Sequence, residues 1–309
     1  MIDSSLLVVG TFVLSIAALW IGAETFVTTA AGVARHFGLS ELIVGLTVVA
    51  LGTSAPEAAV SIDAALVGNG NIAVANVVGS NLFNIGIVLG GIATVIGVRS
   101  SARMVRRDGV AMVLATLLML VLLWDLRVTR LDGLVLLVAF GGYLAVLFVR
   151  PDEPTAPPSD GRAATWRTAV LLVGGLGAIV VGAHFLVESA VVLASTAGLS
   201  EWVIGETIVA VGTSTPEIAA SVAAARNGMG DIAAGNLIGS NVFNALFVLG
   251  ITSTLTPITV VETAISTTVW LLGLSVLTAA LLGTKGGIGR LEGIVLVVIN
   301  LSRWVLDIL

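Results

Sequence analysis

Two hexapeptides hold the residues best suited to chemistry: Gly52-Thr53-Ser54-Ala55-Pro56-Glu57 and Gly212-Thr213-Ser214-Thr215-Pro216-Glu217. Each sets a glutamate directly after a proline, deep in an apolar run. A carboxylate in such surroundings costs roughly 2.5–3.5 kcal/mol on membrane-insertion scales, unless it binds a cation or a proton. A neutral glutamic acid bonded to a neighbouring helix would account for one such residue. The same acid in the same hexapeptide twice argues for a bound ion. Pro56 and Pro216 lack an N–H and clash with the carbonyl four residues back, Gly52 or Gly212, so the helix must open there. Carbonyls near Ala50–Thr53 and Ala210–Thr213 are then expected to lose their helical partners. In an apolar solvent they need a substitute, and a cation can supply one. Thr53, Ser54, Thr213 and Ser214 add hydroxyl oxygens. Back-bonding to their own helix is the competing use. Beside a proline break and a glutamate, ligation ranks above it.

A second pair of motifs does similar work: Gly79-Ser80-Asn81-Leu82-Phe83-Asn84 and Gly239-Ser240-Asn241-Val242-Phe243-Asn244. Ser80 and Asn84 stand four residues apart and so share one helix face, as do Ser240 and Asn244. Asn81 and Asn241 sit about 100° away from that face and are expected to cap or bond a neighbouring helix rather than ligate. Gly79 and Gly239 permit close helix approach. Every candidate ligand is an oxygen, which suits hard cations such as Ca2+ and Na+. The chain has no cysteine, and its two histidines, His36 and His184, lie outside the motifs, so thiolate and imidazole metal sites are not expected. Mg2+ keeps its waters and wants a rigid octahedron, so a dehydrated many-oxygen site favours Ca2+.

These motifs must be held by helices in lipid. Of 309 residues, 57% are hydrophobic and 11% charged, with a mean hydropathy of +1.10. Soluble domains carry about twice that charged fraction. Apolar runs fall near residues 5–35, 41–67, 71–98, 108–126, 131–149, 166–197, 201–227, 231–257, 263–283 and 289–307. Most match the roughly 20 residues that one crossing needs. No basic stretch suits nucleic acid. No basic residue precedes the first apolar run, so that helix is expected to be retained rather than cleaved.

The chain repeats itself. Residues 41–90 align with 201–250 without a gap at an offset of 160, with 27 of 50 positions identical. Composition would match Val and Leu by chance, but not Thr, Ser, Pro, Glu and Asn in register. The expected fold is an all-α polytopic membrane protein of ten transmembrane helices in two inverted five-helix repeats, 1–150 and 166–309, joined by a linker over 151–165 rich in Pro, Asp and Ser. An odd number of crossings per repeat inverts the second. Transporters built this way bind ions near the midplane, where the repeats meet. With both termini outside and the linker inside, 11 of the 14 basic residues fall in inner loops, leaving Arg127, Arg130 and Arg303 outside. Trp124, Trp166, Trp202 and Trp304 are expected to anchor helix ends at the interface, where Asp63 and Glu206 are also placed. Glu24 and Glu188 lie in the long first helices of the two halves and are expected to snorkel or hydrogen-bond, with Glu24 near an ion path. Those two helices lack the motifs, and their glycines favour sliding against the rest.

With its doubled G-T-S-x-P-E and G-S-N-x-F-N motifs, the sequence resembles the prokaryotic Na+/Ca2+ exchanger branch of the cation/calcium antiporter superfamily. The resemblance implies exchange of Ca2+ for Na+ across the cytoplasmic membrane by alternating access, with the first helix of each half moving against a fixed core. It implies Ca2+ held by Glu57 and Glu217 with oxygens of Thr53 and Thr213. It implies Na+ held by Ser54, Ser80, Ser214 and Ser240 with the carbonyls of Ala50 and Ala210, with Asn84, Asn244 and the two glutamates completing the centre. Several members carry aspartate at one of the two central positions where this chain has Asn84 and Asn244, a departure that argues against K+ co-transport. No resident cofactor is expected; Ca2+ and Na+ are cargo, and one chain in the bilayer should suffice. The alternatives are a Ca2+/H+ antiporter of the same fold, in which protons replace Na+, and a passive cation channel, which would pass ions without a counter-ion. An enzyme is not expected, since the motifs place no nucleophile beside a base.

Overall fold

The computed structural model describes residues 4–36, 50–99, 105–149, 165–226 and 230–308. Helices dominate. The first half holds α1 (Ser4–His36), α2 (Ala50–Thr53), α3 (Ala55–Leu66), α4 (Gly70–Phe83), α5 (Gly90–Ile96), α6 (Val110–Leu122) and α7 (Arg130–Val149). The second holds α8 (Trp166–Ala197), α9 (Glu201–Ile204), α10 (Ala210–Thr213), α11 (Thr215–Arg226), α12 (Gly230–Phe243), α13 (Leu249–Leu255), α14 (Thr263–Lys285) and α15 (Arg290–Ile308). Wider π-helical turns at Asn84–Leu89 and Asn244–Val248 join α4 to α5 and α12 to α13; another, at Gly205–Val209, joins α9 to α10.

Among the described residues six helical stretches are long and apolar enough to cross a membrane, and the stretch Glu201–Thr213 passes the same test together with α11, to which it is bent by 47°. The run expected over 41–67 lies partly on residues 37–49, outside the described residues. The runs near 108–126 and 289–307 form α6 and α15, the first short and the second carrying Arg290, Glu292, Arg303 and Asp307. The burial pattern reverses that of a water-soluble fold. Leu6, Leu14, Val138, Val173 and Leu291 face outward, while Ser54, Glu57, Asn76, Ser80, Glu217 and Asn244 are buried. Such a surface is stable against lipid and not against water.

Offset-related elements make matching contacts. Strand β1 (Val98–Arg99) pairs antiparallel with β4 (Gly287–Ile288), and β2 (Arg127–Val128) pairs with β3 (Ile258–Thr259). Val98 opposite Ile288 and Val128 opposite Ile258 are the same pairing displaced by 160 residues in each strand. The continuous span from Gly70 to Ile96 is the most enclosed, at 94% buried, and its counterpart from Ala233 to Leu255 is 72% buried. Around this pair lie the outer helices. The long α1 and α8 cross at Gly22 and Gly175, where an added Cβ would come within 2.8–2.9 Å of the opposing carbonyl. Only glycine allows that approach.

Three expectations about the interface are corrected. Trp202 is 1% exposed rather than interfacial, and Glu206 is fully buried. The reason is mutual: the Trp202 indole donates to Glu206 Oε2 at 2.8 Å, so each satisfies the other's polar atom away from water. Arg303, counted with the outer loops, is 8% exposed, and its guanidinium donates to Thr267 Oγ1 at 2.7 Å. Trp124 and Trp166 do lie exposed at helix ends, whereas Trp304 stacks on Phe83 with centroids 6.1 Å apart.

Candidate cation site

The two proline motifs break their helices at the serine. Ser54 (φ −88°, ψ 10°) separates α2 from α3, and Ser214 (φ −79°, ψ 9°) separates α10 from α11. Pro56 sits in the first turn of α3, where its missing N–H costs nothing. The break in the second half is better satisfied than expected. The Gly212 carbonyl, deprived of a partner by Pro216, accepts from the Thr215 hydroxyl at 2.9 Å. The Ala210 carbonyl accepts from Ser214 N–H at 3.0 Å and from the Thr213 hydroxyl at 3.2 Å. Protein groups therefore take bonds expected of a cation, and Ala210 enters a site only through remaining lone-pair capacity. Ala50 opens α2 directly after the undescribed residues.

The breaks face one another through crossed hydrogen bonds. Ser54 Oγ donates to Glu217 Oε1 at 2.9 Å, and Ser214 Oγ donates to Glu57 Oε1 at 2.9 Å. Each glutamate is thus held by the serine of the other half, and both are fully buried. Thr213 lies within reach of the Glu57 carboxyl, and Thr53 within reach of that of Glu217.

The second motifs interlock in the same reciprocal way. Asn81 Nδ2 donates to the Asn241 carbonyl at 3.1 Å, and Asn241 Nδ2 to the Asn81 carbonyl at 3.0 Å. Asn84 Nδ2 donates to Asn241 Oδ1 at 3.1 Å, and Asn244 Nδ2 to Asn81 Oδ1 at 3.2 Å. Asn81 and Asn241 are therefore the clamp between the two halves. They also turn Asn84 and Asn244 so that the amide nitrogens are engaged and the oxygens are left over. Ser80 Oγ lies 3.4 Å from Thr213 Oγ1. Gly79 has the close-approach role expected, since a Cβ there would fall 2.4 Å from the Glu206 backbone. Gly239 meets nothing within 4 Å among the described residues.

Within these motifs, five buried oxygens consequently have no hydrogen-bond partner among the described residues: Glu57 Oε2, Glu217 Oε2, Asn84 Oδ1, Asn244 Oδ1 and Ser240 Oγ. Four of them can only accept while the glutamates are ionised. Buried acceptors without donors are costly, and a dehydrated cation is the partner that suits all of them. No group of three or more His, Cys, Asp or Glu forms a metal cluster among the described residues, so the centre is two acids amid neutral oxygens.

One layer of the site was missed in the sequence. Asn76 Nδ2 donates to Ser61 Oγ at 3.0 Å and to the Glu57 carbonyl at 3.3 Å, while its Oδ1 accepts from Thr213 at 3.0 Å. Asn236 Nδ2 donates to Ser221 Oγ, also at 3.0 Å. Ser61 and Ser221, and Asn76 and Asn236, match at the same offset of 160, so the repeat comparison carried the signal. Glu24 and Glu188 are exposed, away from these buried bonds.

A helical membrane protein with buried, partnerless oxygens gathered between related motifs has the make-up of the cation-transporter class. The comparisons place it within that class. A family model for sodium/calcium exchanger proteins matches residues 7–149 and 167–301. The chain belongs to that family and is a membrane antiporter. It is 31% identical over 318 residues to the sodium/calcium exchanger MaX1 of Methanosarcina acetivorans, covering 89% of this chain and 91% of the relative. It is 35% identical over 253 residues to the inner membrane protein YrbG of Escherichia coli, covering 76% of each. The structure resembles that of the sodium-calcium exchanger NCX_Mj soaked with 10 mM Na+ and zero Ca2+, with a TM-score of 0.68, 31% identity, and coverage of 97% of this chain and 98% of the other.

Proposed function

We propose that this antiporter exchanges Ca2+ for Na+ across the cytoplasmic membrane. The observation that carries the reading is the set of five partnerless buried oxygens around two glutamates held by each other's serines. Ca2+ binds Glu57 and Glu217, with oxygens of Thr53 and Thr213. Na+ occupies flanking positions at Ser54, Ser80, Ser214 and Ser240 with the Ala50 and Ala210 carbonyls, and Asn84 and Asn244 close the centre. The two kinds of ion compete for overlapping oxygens, so loading one unloads the other.

The chain crosses the membrane ten times in two inverted repeats, 1–150 and 166–309, with the 151–165 linker inside and both termini outside. The reciprocal asparagine clamp and the displaced strand pairings support this plan. Alternating access comes from α1 and α8 moving together against the core. Their glycine crossing supports movement as a pair, and Ile16 of α1 already touches Gly212 beside the site. The test is Ca2+ uptake by proteoliposomes under an imposed Na+ gradient. Uptake that requires Na+ is expected. Uptake that ignores Na+ and follows pH would transfer the function to a Ca2+/H+ antiporter, and flux without any counter-ion would make it a channel.

A further inference from the structure

Helix α8 is joined to the core by a contact that the exchange site does not use. His184 Nδ1 lies 3.3 Å from Asp63 Oδ1, with the two side chains 53% and 25% exposed. Asp63 belongs to α3, the helix that carries Glu57, and its other oxygen, Oδ2, is buried with no partner among the described residues. Asp63 is six residues beyond Glu57, which turns it about 120° away from the ion-facing side. It faces outward from the core, toward α8. The contact thus crosses the boundary along which α8 slides, and the inference rests on that reading of the motion.

The contact is one-sided. At the offset of 160, α1 carries Glu24 where α8 carries His184, and α11 carries Ala223 where α3 carries Asp63. Glu24 and Ala223 cannot make an acid–histidine pair, so the sequence repeat is broken at these positions. Other acids belong to the elements packed on α8, and three of them are engaged elsewhere. Glu57 is bonded by Ser214, Glu201 by Asn71 and Glu206 by Trp202. Glu24 on α1 and Glu188, one turn along α8, are exposed. Among the described residues Asp63 is the acid that pairs with His184.

The geometry points to His184 and Asp63 as a proton-binding latch, which fastens the sliding helix to the core when the imidazole is charged and releases it when neutral. Histidine is the side chain that ordinarily changes charge between pH 5 and 8. Protonation turns a contact between a carboxylate and a neutral imidazole into an ion pair and favours the conformation described here, so exchange slows as the adjoining solution becomes acidic. The proton is a regulator and is not carried. In the proposed orientation Asp63 lies in the last turn of α3, which ends at Leu66 on the outer side, so external protons act.

The experiment uses the full chain in proteoliposomes, with Na+-driven Ca2+ uptake measured at external pH 5.5 and 8 and internal pH held constant. For a partly exposed ion pair, uptake should be about two- to five-fold slower at pH 5.5. His184→Gln and Asp63→Asn should each remove that difference while retaining exchange. A His184→Gln profile identical to that of the unaltered protein overturns the latch. The chain has no cysteine, so Asp63→Cys with His184→Cys can be bridged by Hg2+ without background. Bridging should stop exchange, and thiol should restore it. Full exchange with the bridge in place overturns the sliding reading and the latch with it. Arrested exchange with unchanged His184→Gln pH dependence overturns the latch alone.

Discussion

Glu57→Gln is the sharpest perturbation of the proposed site. Glutamine keeps the shape of glutamate and an oxygen to accept the 2.9 Å bond from Ser214 Oγ, so local packing survives. What is lost is one of two negative charges facing a dehydrated divalent ion. At about 2.4 Å from oxygen, with an effective dielectric of ~20, one charge attracts Ca2+ by roughly 14 kcal/mol before desolvation is subtracted. Desolvation removes much of that gross figure. Losing one partner from a buried charge interaction typically costs about 3–5 kcal/mol, which corresponds to roughly 10² to nearly 10⁴-fold weaker Ca2+ binding. Glu217→Gln should behave alike, because the bond from Ser54 has the same 2.9 Å length. The assay is Ca2+ binding by calorimetry on purified protein, paired with uptake in proteoliposomes. Thermal stability in Ca2+-free buffer should not fall, since removing a buried charge relieves desolvation. Near-normal Ca2+ affinity in either variant, with the fold intact, would refute the assignment of both glutamates.

Other outcomes follow from the same geometry. Ser214→Ala removes a charge-assisted bond to Glu57, worth about 1.5–3 kcal/mol, and should weaken ion binding roughly 10- to 100-fold; titration of Na+ against Ca2+ uptake checks it. Gly79→Val should prevent folding or unfold the protein well below the normal midpoint, because a Cβ 2.4 Å from the Glu206 backbone has no space; detergent-resistant yield and thermal melting report it. Exchange should carry current if three Na+ move per Ca2+, as the flanking oxygens present in both halves favour. Flux indifferent to a clamped voltage, with Na+ still required, would reduce the count to two.

The proline hexapeptides and the asparagine motifs were legible in the sequence because their chemistry conflicts with their surroundings. A glutamate after a proline in an apolar run has few stable fates, and finding it twice at a spacing of 160 leaves fewer. The oxygen character of the candidate site comes from that local conflict, while hydropathy gave the membrane solvent and the gapless alignment the repeat. Asn76 and Asn236 were visible by the same comparison, but an asparagine in a helix reads as any hydrogen-bonding group until its partner is known. Trp202 and Glu206 misled for the opposite reason. Their position near a helix start resembles an interface, yet they satisfy each other four residues apart and can be buried together.

Sequence alone determined the solvent, the repeat and the residue types that meet a cation, since hydropathy and spacing act along the chain. Tertiary structure decided the pairings between halves. That Ser54 serves Glu217 and Ser214 serves Glu57, rather than each its own neighbour, depends on how two helix breaks approach across the fold. The same holds for Asn81 clamping Asn241, which leaves the oxygens of Asn84 and Asn244 available. It holds also for His184 meeting Asp63, where a separation of 121 residues hides a 3.3 Å contact. Periodicity reports which face a residue occupies, but a partner across the fold is fixed only when the helices dock.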